Sequence, residues 1–114
     1  EYWWRLARQA AFRQRIEYTL AEHELDALAF PDVQVVPPVA EGYHTGRLTR
    51  GDVPTNTFIA SQSGCPAISM PAGVTNEGLP VGLELLGAPF SDHQLVAFAA
   101  AYEAAADPRR PPDL

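Results

Sequence analysis

The side chains best suited to nucleophilic attack lie together in one stretch, SQSGCPAISMPAG (residues 61–73), which holds Ser61, Ser63 and Cys65. A serine hydrolase with a G-x-S-x-G loop places its serine on a sharp turn that leads from a strand into a helix. Here the pattern predicts the opposite order, a helix, then Gly64, then a strand. We therefore expect the two serines to bond nearby backbone groups.

Cys65 has no histidine or arginine close to it in sequence, whereas a reactive thiolate needs a nearby cation or a helix N-terminus. We expect it to be a small buried side chain. The competing hypothesis, an independent enzyme built on Cys65 or Ser61, requires a base within about 3 Å of the nucleophile.

Other common catalytic patterns are missing. His23, His44 and His93 fall in separate segments without metal-ligand spacing, so we expect no metal. All eight basic residues are arginines. A phosphate-binding loop that needs a lysine therefore cannot form, and we expect no cofactor.

Glu84 stands out because it interrupts the apolar run PVGLELLG. A carboxylate inside such a strand needs a partner or an exposed position. Two interpretations stay open: a structural ion pair with an arginine, or a polar group that faces a pocket.

The bulk composition indicates one soluble domain covering residues 1–114. The net charge of −6 argues against nucleic-acid binding, and no apolar run approaches the length of a membrane helix. A single cysteine favours a reducing cytoplasm. The first residues resemble neither a signal peptide nor a complete transit peptide, and since Glu1 is not methionine, we expect the natural start to lie upstream or to have been removed.

Hydrophobic periodicity predicts a helix over residues 2–24, with Phe12, Ile16 and Leu20 on one face. A short strand is predicted from Leu25 to Phe30. Residues 31–54 are rich in proline and glycine and predict a long surface loop. It leaves Tyr43, His44 and Arg47 as exposed candidates for contacts.

The second half predicts a helix that begins at Thr55 or Asn56 and ends at Gly64. A strand from Ala67 to Met70 and a strand over residues 80–87 should form a hairpin around the turn at residues 76–78, with both strands central in a larger covered sheet.

Ser91 and Gln94 have capping-box spacing, and Phe90 could pack on Leu95 as a hydrophobic staple. The helix that follows should end before Pro108. The tail, residues 107–114, is predicted to be extended.

Three motifs in a fixed order resemble the C-terminal end of the amidase signature family: GCPAISMPAG (64–73), GLPVGLELLG (78–87) and PFSDHQL (89–95). The sequence AYE (101–103) fits the same pattern, and DAL (26–28) followed by Pro31 resembles the family's D-A-L-x-x-P strand. The resemblance covers most of the chain and is weak over residues 33–54.

The resemblance implies an α/β fold, namely the C-terminal piece of an α/β/α layered domain with a mixed sheet. Family members hydrolyse carboxamides with a lysine, a bridging serine held by a cis peptide and a nucleophilic serine. This chain has no lysine and no glycine- and serine-rich signature loop, so the resemblance implies that it is inactive alone and needs the missing part to act on an amide.

The resemblance also places residues 54–61 beside the acyl pocket, which makes Asn56, Thr57 and Ser61 candidate pocket residues. Relatives that use glutamine to amidate tRNA hold it with an acidic residue there. This chain has Pro54 at that position with Asp52 out of register, so glutamine use is not predicted.

The alternative to a hydrolase part is a non-catalytic module for assembly or binding. Both hypotheses predict a homo-oligomer or a companion chain, because sheet edges that lose their neighbours tend to pair with other strands.

Overall fold

A three-stranded antiparallel sheet in the order β1-β3-β2 organises the chain. The coordinates are a computed structural model, which describes residues 1–47, 49, 53 and 56–106. The elements are α1 (Tyr2–Glu22), β1 (Leu28–Pro31), α2 (Ala40–His44), α3 (Phe58–Ser63), β2 (Ala67–Val74), β3 (Pro80–Leu86) and α4 (Asp92–Ala105).

The helices lie on both faces of the sheet and form a layered α/β arrangement. Leu86 of β3 is fully buried and packs with Ile16 and Leu20 of α1 and with Cys65. Because side chains alternate along a strand, Met70 of β2 points to the other face, where α4 packs against β2. The predicted α/β class is confirmed.

The first helix agrees with its prediction and ends two residues early. Glu24 adopts a left-handed conformation (φ 51°), its N–H bonds the Ala21 carbonyl at 3.3 Å, and the Leu25 N–H bonds the Leu20 carbonyl at 2.8 Å. These two bonds are those of a Schellman motif. Leu25 therefore belongs to the end of the helix, and the predicted strand from Leu25 to Phe30 begins only at Leu28.

The β2–β3 hairpin is confirmed. Its turn is closed by Thr75 N–H to the Leu79 carbonyl and by Gly78 N–H to the Thr75 carbonyl, at 2.8 and 2.9 Å. The first strand is longer than predicted, because Pro71 lies on an outer strand where its missing N–H is tolerated, next to an irregularity between Pro71 and Gly73.

Within the described sheet, β3 is central and β2 is an outer strand. The prediction that both hairpin strands are central therefore holds for β3 alone in this part of the chain.

Residues 31–54 are not wholly irregular, since the described portion contains the five-residue helix α2. Thr57 is the residue that precedes α3. Asn56 lies one residue further outside, and Thr55, the other predicted start, falls outside the described residues. Gly64 ends α3 in a left-handed conformation (φ 68°), as predicted.

The predicted start of α4 is wrong in its details. Phe90 has a positive φ of 68° and is 97% exposed, so it does not pack on Leu95. Ser91 makes no side-chain cap bond, and Gln94 Nε2 instead donates to Asp26 Oδ1 at 2.9 Å. A contact distant in sequence thus replaces the local capping box. The helix ends at Ala105, before Pro108 as expected, and the predicted extended tail lies outside the described residues.

Candidate functional site

Glu84 is the most unusual polar residue of the described chain. It lies in the middle of the central strand, is only 4% exposed, and its Oε1 accepts no hydrogen bond. Its cross-strand neighbours are Phe30 on β1 and Ser69 on β2. No described arginine pairs with it, so the predicted ion pair is absent from the described residues.

Asp32 lies on the same face of the sheet as Glu84. Its N–H bonds the Gly82 carbonyl at 3.0 Å, which holds the residue beside β3 just after β1 ends. Its Oδ2 accepts a hydrogen bond from the Ser69 hydroxyl and lies where a side chain on Gly82 would begin. Because Gly82 has no Cβ, the carboxylate can lie over the strand.

The two carboxyl groups affect each other electrostatically. Burial, and secondarily the negative charge of Asp32, raises the pKa of Glu84 above its ordinary value. Asp32 Oδ1, like Glu84 Oε1, is buried without a donor. We name Asp32, Ser69 and Glu84 the acidic cluster; it is rich in acceptors and lacks a partner cation among the described residues.

Asn56, the first predicted pocket residue, connects α3 to the end of β1 next to this cluster. Its side-chain Nδ2 donates to the Pro31 carbonyl at 2.7 Å, and its backbone N–H donates to the Asp32 carbonyl at 2.9 Å. Its Oδ1 accepts a bond from Gln34 Nε2 at 2.9 Å. The amide group therefore holds the loop that carries Asp32.

The other two predicted pocket residues are exposed. Thr57 makes no side-chain capping bond, and the Ser61 hydroxyl donates to backbone carbonyls within its own helix. The role of all three residues in a pocket stays a prediction.

Ser63 and Cys65 have the structural roles that the sequence predicts. The Ser63 hydroxyl donates to the Ile59 carbonyl at 2.7 Å and accepts from the Cys65 N–H at 3.2 Å. Arg13 Nε bonds the Ser63 carbonyl at 2.7 Å and so joins α1 to α3. No base contacts Ser61, Ser63 or Cys65 among the described residues.

The loop candidates Tyr43, His44 and Arg47 are exposed, as predicted, and the first two lie in α2. Arg47 Nη2 pairs with Glu41 Oε1 at 3.5 Å.

In the described chain, no group of three or more histidine, cysteine, aspartate or glutamate side chains could hold a metal ion. Pro54 and Asp52, considered for glutamine binding, fall outside the described residues.

A groove of about 540 Å³ runs along the exposed side of α1. It combines aromatic rings with two arginines, and Arg8 lies over the Trp4 ring at 4.8 Å. Its lining consists of Trp4, Arg5, Arg8, Gln9, Phe12 and Gln62.

None of the helices in the described ranges has the length and apolar character required to cross a membrane.

The acidic cluster could not be found from sequence spacing alone. Glu84 was visible as a charge in an apolar run, but its neighbours depend on strand register, which brings Ser69 opposite Glu84. Asp32 is 52 positions away along the chain from Glu84 and resembles an ordinary turn residue after Pro31.

The chain has clear similarity to proteins of known type. The family model described as Amidase matches residues 1–96. An indoleacetamide hydrolase of Agrobacterium vitis is 36% identical over 96% of this chain and 25% of its own length. A mandelamide hydrolase of Pseudomonas putida is 39% identical over 75% of this chain and 17% of its own length.

Solved structures give the same result. The native peptide amidase of Stenotrophomonas maltophilia is 32% identical, with a TM-score of 0.70 over 95% of this chain and 21% of its own. A peptide amidase in complex with the competitive inhibitor chymostatin is 30% identical, with a TM-score of 0.76 over 96% of this chain and 22% of its own.

The chain thus spans at most about a quarter of the relatives it matches. Sequence identities of 30% to 39% and TM-scores of 0.70 and 0.76 agree with the family match. The chain belongs to the amidase family.

Proposed function

We propose that this chain is the C-terminal, non-catalytic part of an amidase-family hydrolase that acts on carboxamide C–N bonds. The observation that carries the proposal is the match of nearly the whole chain to about a fifth of a peptide amidase, at a TM-score of 0.76. In a whole enzyme, this chain would contribute sheet strands, their flanking helices and part of a pocket wall.

The described residues contain no nucleophile–base pair, which supports a non-catalytic part. Amide hydrolysis by a serine needs a base that withdraws its proton and donors that stabilise the oxyanion. The Ser61 and Ser63 hydroxyls are engaged by backbone carbonyls, and the chain has no lysine. The base and the nucleophile would then come from the remaining part of the enzyme.

A pocket wall at Asn56, Thr57 and Ser61 is the contribution to substrate binding that we propose. Asn56 links this segment to the loop of Asp32 through two hydrogen bonds. The named substrates of the relatives, indoleacetamide and mandelamide, are the first amides to try.

A chimera tests this function directly. Residues 1–106 replace the matching segment of the Stenotrophomonas maltophilia peptide amidase, and ammonia release from amides is measured. We expect a folded chimera with hydrolytic activity, and Asn56→Ala in it should raise KM. A folded chimera without activity on any amide would contradict the proposal; Gln34→Ala, which removes a bond to Asn56 but no predicted pocket residue, is the matched control.

An assembly module is the second candidate, and the surface of α1 favours it. Trp3 and Trp4 are 78% and 60% exposed, and the outer edges of β1 and β2 have no partner strand in the described sheet. Exposed aromatic clusters and free sheet edges are typical of binding surfaces.

Measurement of the mass in solution, combined with the activity of the chimera, separates the two candidates. An assembly module should be a stable oligomer by light scattering, and a Trp3→Ser, Trp4→Ser double variant should dissociate it. Tyr18→Ser, at an exposed aromatic residue of the same helix, is the control. A monomer that becomes active only with the remaining part of an amidase would exclude the assembly module.

A further inference from the structure

In the part of the chain that the structure describes, two buried carboxyl oxygens of the acidic cluster have no hydrogen-bond donor, namely Asp32 Oδ1 and Glu84 Oε1. Buried acceptors are almost always satisfied, because an unpaired one retains the full cost of its lost hydration. Among the described residues, neither oxygen has a hydrogen-bond partner. These two oxygens are therefore free to accept hydrogen bonds from a ligand.

The strand register brings these acceptors to one place. Ser69 lies directly opposite Glu84, and its hydroxyl is bonded to the Asp32 carboxylate. Gly82, two residues before Glu84 on the same face, leaves room for the Asp32 side chain. Three elements, the end of β1, β2 and β3, thus contribute one polar side chain each.

The three residues of the acidic cluster differ in their exposure to solvent. Ser69 is exposed, Asp32 is half-buried and Glu84 is 4% exposed. A small ligand can enter only from the side of Ser69 and Asp32. Because Asp32 Oδ1 and Glu84 Oε1 are both buried, the cluster has to open locally for the ligand to reach them.

We propose that the acidic cluster binds a small primary ammonium group, either the ammonium ion or a short alkylamine. An –NH₃⁺ group has three donors and no acceptor, which matches Asp32 Oδ1, Glu84 Oε1 and the remaining lone pair of Ser69 Oγ. Its positive charge offsets the negative charge of Asp32 and favours ionisation of Glu84. Nothing in this binding requires amide hydrolysis, so the inference goes beyond the proposed function.

A titration followed by ¹⁵N–¹H NMR tests the site on the protein at neutral pH. The probes are ammonium chloride and methylammonium chloride, with sodium chloride and tetramethylammonium chloride at matched ionic strength as controls. We expect saturable shifts of the Ser69, Gly82 and Glu84 amide signals with the first two salts. Tetramethylammonium carries the charge without N–H donors and should produce none.

The Glu84→Gln variant should weaken binding about tenfold or more, because it replaces a charge-assisted hydrogen bond by a neutral one. Glu103→Gln, on the exposed side of α4, should bind as the original chain does. If the Glu84→Gln variant does not fold, Asp32→Asn should weaken ammonium binding in the same titration.

Shifts that do not saturate, an equal response to tetramethylammonium, or unchanged affinity in both cluster variants would overturn the site. Because no amide is present, such a failure leaves the proposed function standing, whereas an inactive chimera leaves the ammonium site standing.

Discussion

Glu84 occupies a position where a covered strand would ordinarily carry an apolar side chain. Its neighbours on the sheet face are Phe30, Ser69 and Asp32, and the only charge among them is the negative one of Asp32. Both burial and this charge disfavour the ionised carboxylate. We therefore expect the residue to reduce the stability of the fold at neutral pH.

Replacing Glu84 with glutamine should stabilise the protein at neutral pH. The folded-state pKa of Glu84 is raised above the ordinary value of 4.5, so ionisation opposes folding. The penalty is absent below the unfolded-state pKa and grows as the pH rises through the folded-state pKa. We expect Glu84→Gln to increase the free energy of unfolding by about 1 kcal/mol at pH 7 and by much less at pH 4.

Urea unfolding at a series of pH values measures this difference. Glu103→Gln, an exposed substitution of the same type, should follow the original chain at every pH. A stability gain for Glu84→Gln that is equal at pH 4 and pH 7 would show that ionisation of Glu84 is not its source.

Gly82→Ala should destabilise the chain by displacing the Asp32 carboxylate. The new methyl group would overlap Asp32 Oδ2 and crowd Ser69 Oγ at 3.3 Å. Forced rearrangement of this kind costs about 1–3 kcal/mol. In an Asp32→Ala background the overlap is gone, so the same substitution should cost clearly less.

The four free energies of unfolding form a double-mutant cycle. A coupling energy near zero between positions 82 and 32 would contradict the placement of Asp32 over Gly82.

At the scale of elements, the junction of α1 with α3 depends on one glycine. Gly64 ends α3 with a φ of 68°, and Arg13 lies over it while bonding the Ser63 carbonyl at 2.7 Å. Gly46 has nearly the same φ, 69°, and no atom of the described residues lies within 4 Å of the position of its missing Cβ. Comparing substitutions at Gly64 and Gly46 therefore separates the cost of backbone strain from the cost of displacing Arg13.

Gly46→Ala should cost about 1 kcal/mol, the price of a left-handed non-glycine residue. Gly64→Ala should cost about 2 kcal/mol, because it also displaces Arg13 from a charge-assisted hydrogen bond. In an Arg13→Ala background, the destabilisation caused by Gly64→Ala should fall to that caused by Gly46→Ala. Equal costs in the unmodified chain would show that Arg13 contributes nothing to this junction.

Elements with strong local signals were predictable from the sequence. The apolar stripe defined α1, Gly64 marked the end of α3, and the 76–78 turn identified the hairpin. Each of these signals lies within a few residues of the structure that it predicts. The amidase resemblance rested in part on the segments around Gly64 and the hairpin, and not on α1.

Features that depend on tertiary contacts were not predictable. Gln94 satisfies the capping-box spacing but bonds Asp26, 68 residues away, and Phe90 turns outward with a positive φ. The start of β1 was missed because Glu24, a residue that rarely adopts the left-handed conformation, closes a Schellman motif. The acidic cluster required the strand register.

For the whole molecule, the exposed aromatic surface of α1 supports the proposal that the chain acts together with a partner. Two tryptophans and two tyrosines of α1 are more than half exposed, and the chain spans about a fifth of the peptide amidase it resembles. Large apolar patches on a protein usually mark a contact surface. We expect this surface to contact the remaining part of an amidase.

The most direct test of a non-catalytic role is ammonia release by the purified chain from indoleacetamide, mandelamide and a peptide amide. We expect no turnover above the uncatalysed rate, and turnover once the missing part of an amidase is supplied as a chimera. Hydrolysis by the chain alone that Ser61→Ala, Ser63→Ala or Cys65→Ala abolishes would contradict the account, because it would place a nucleophile within these residues.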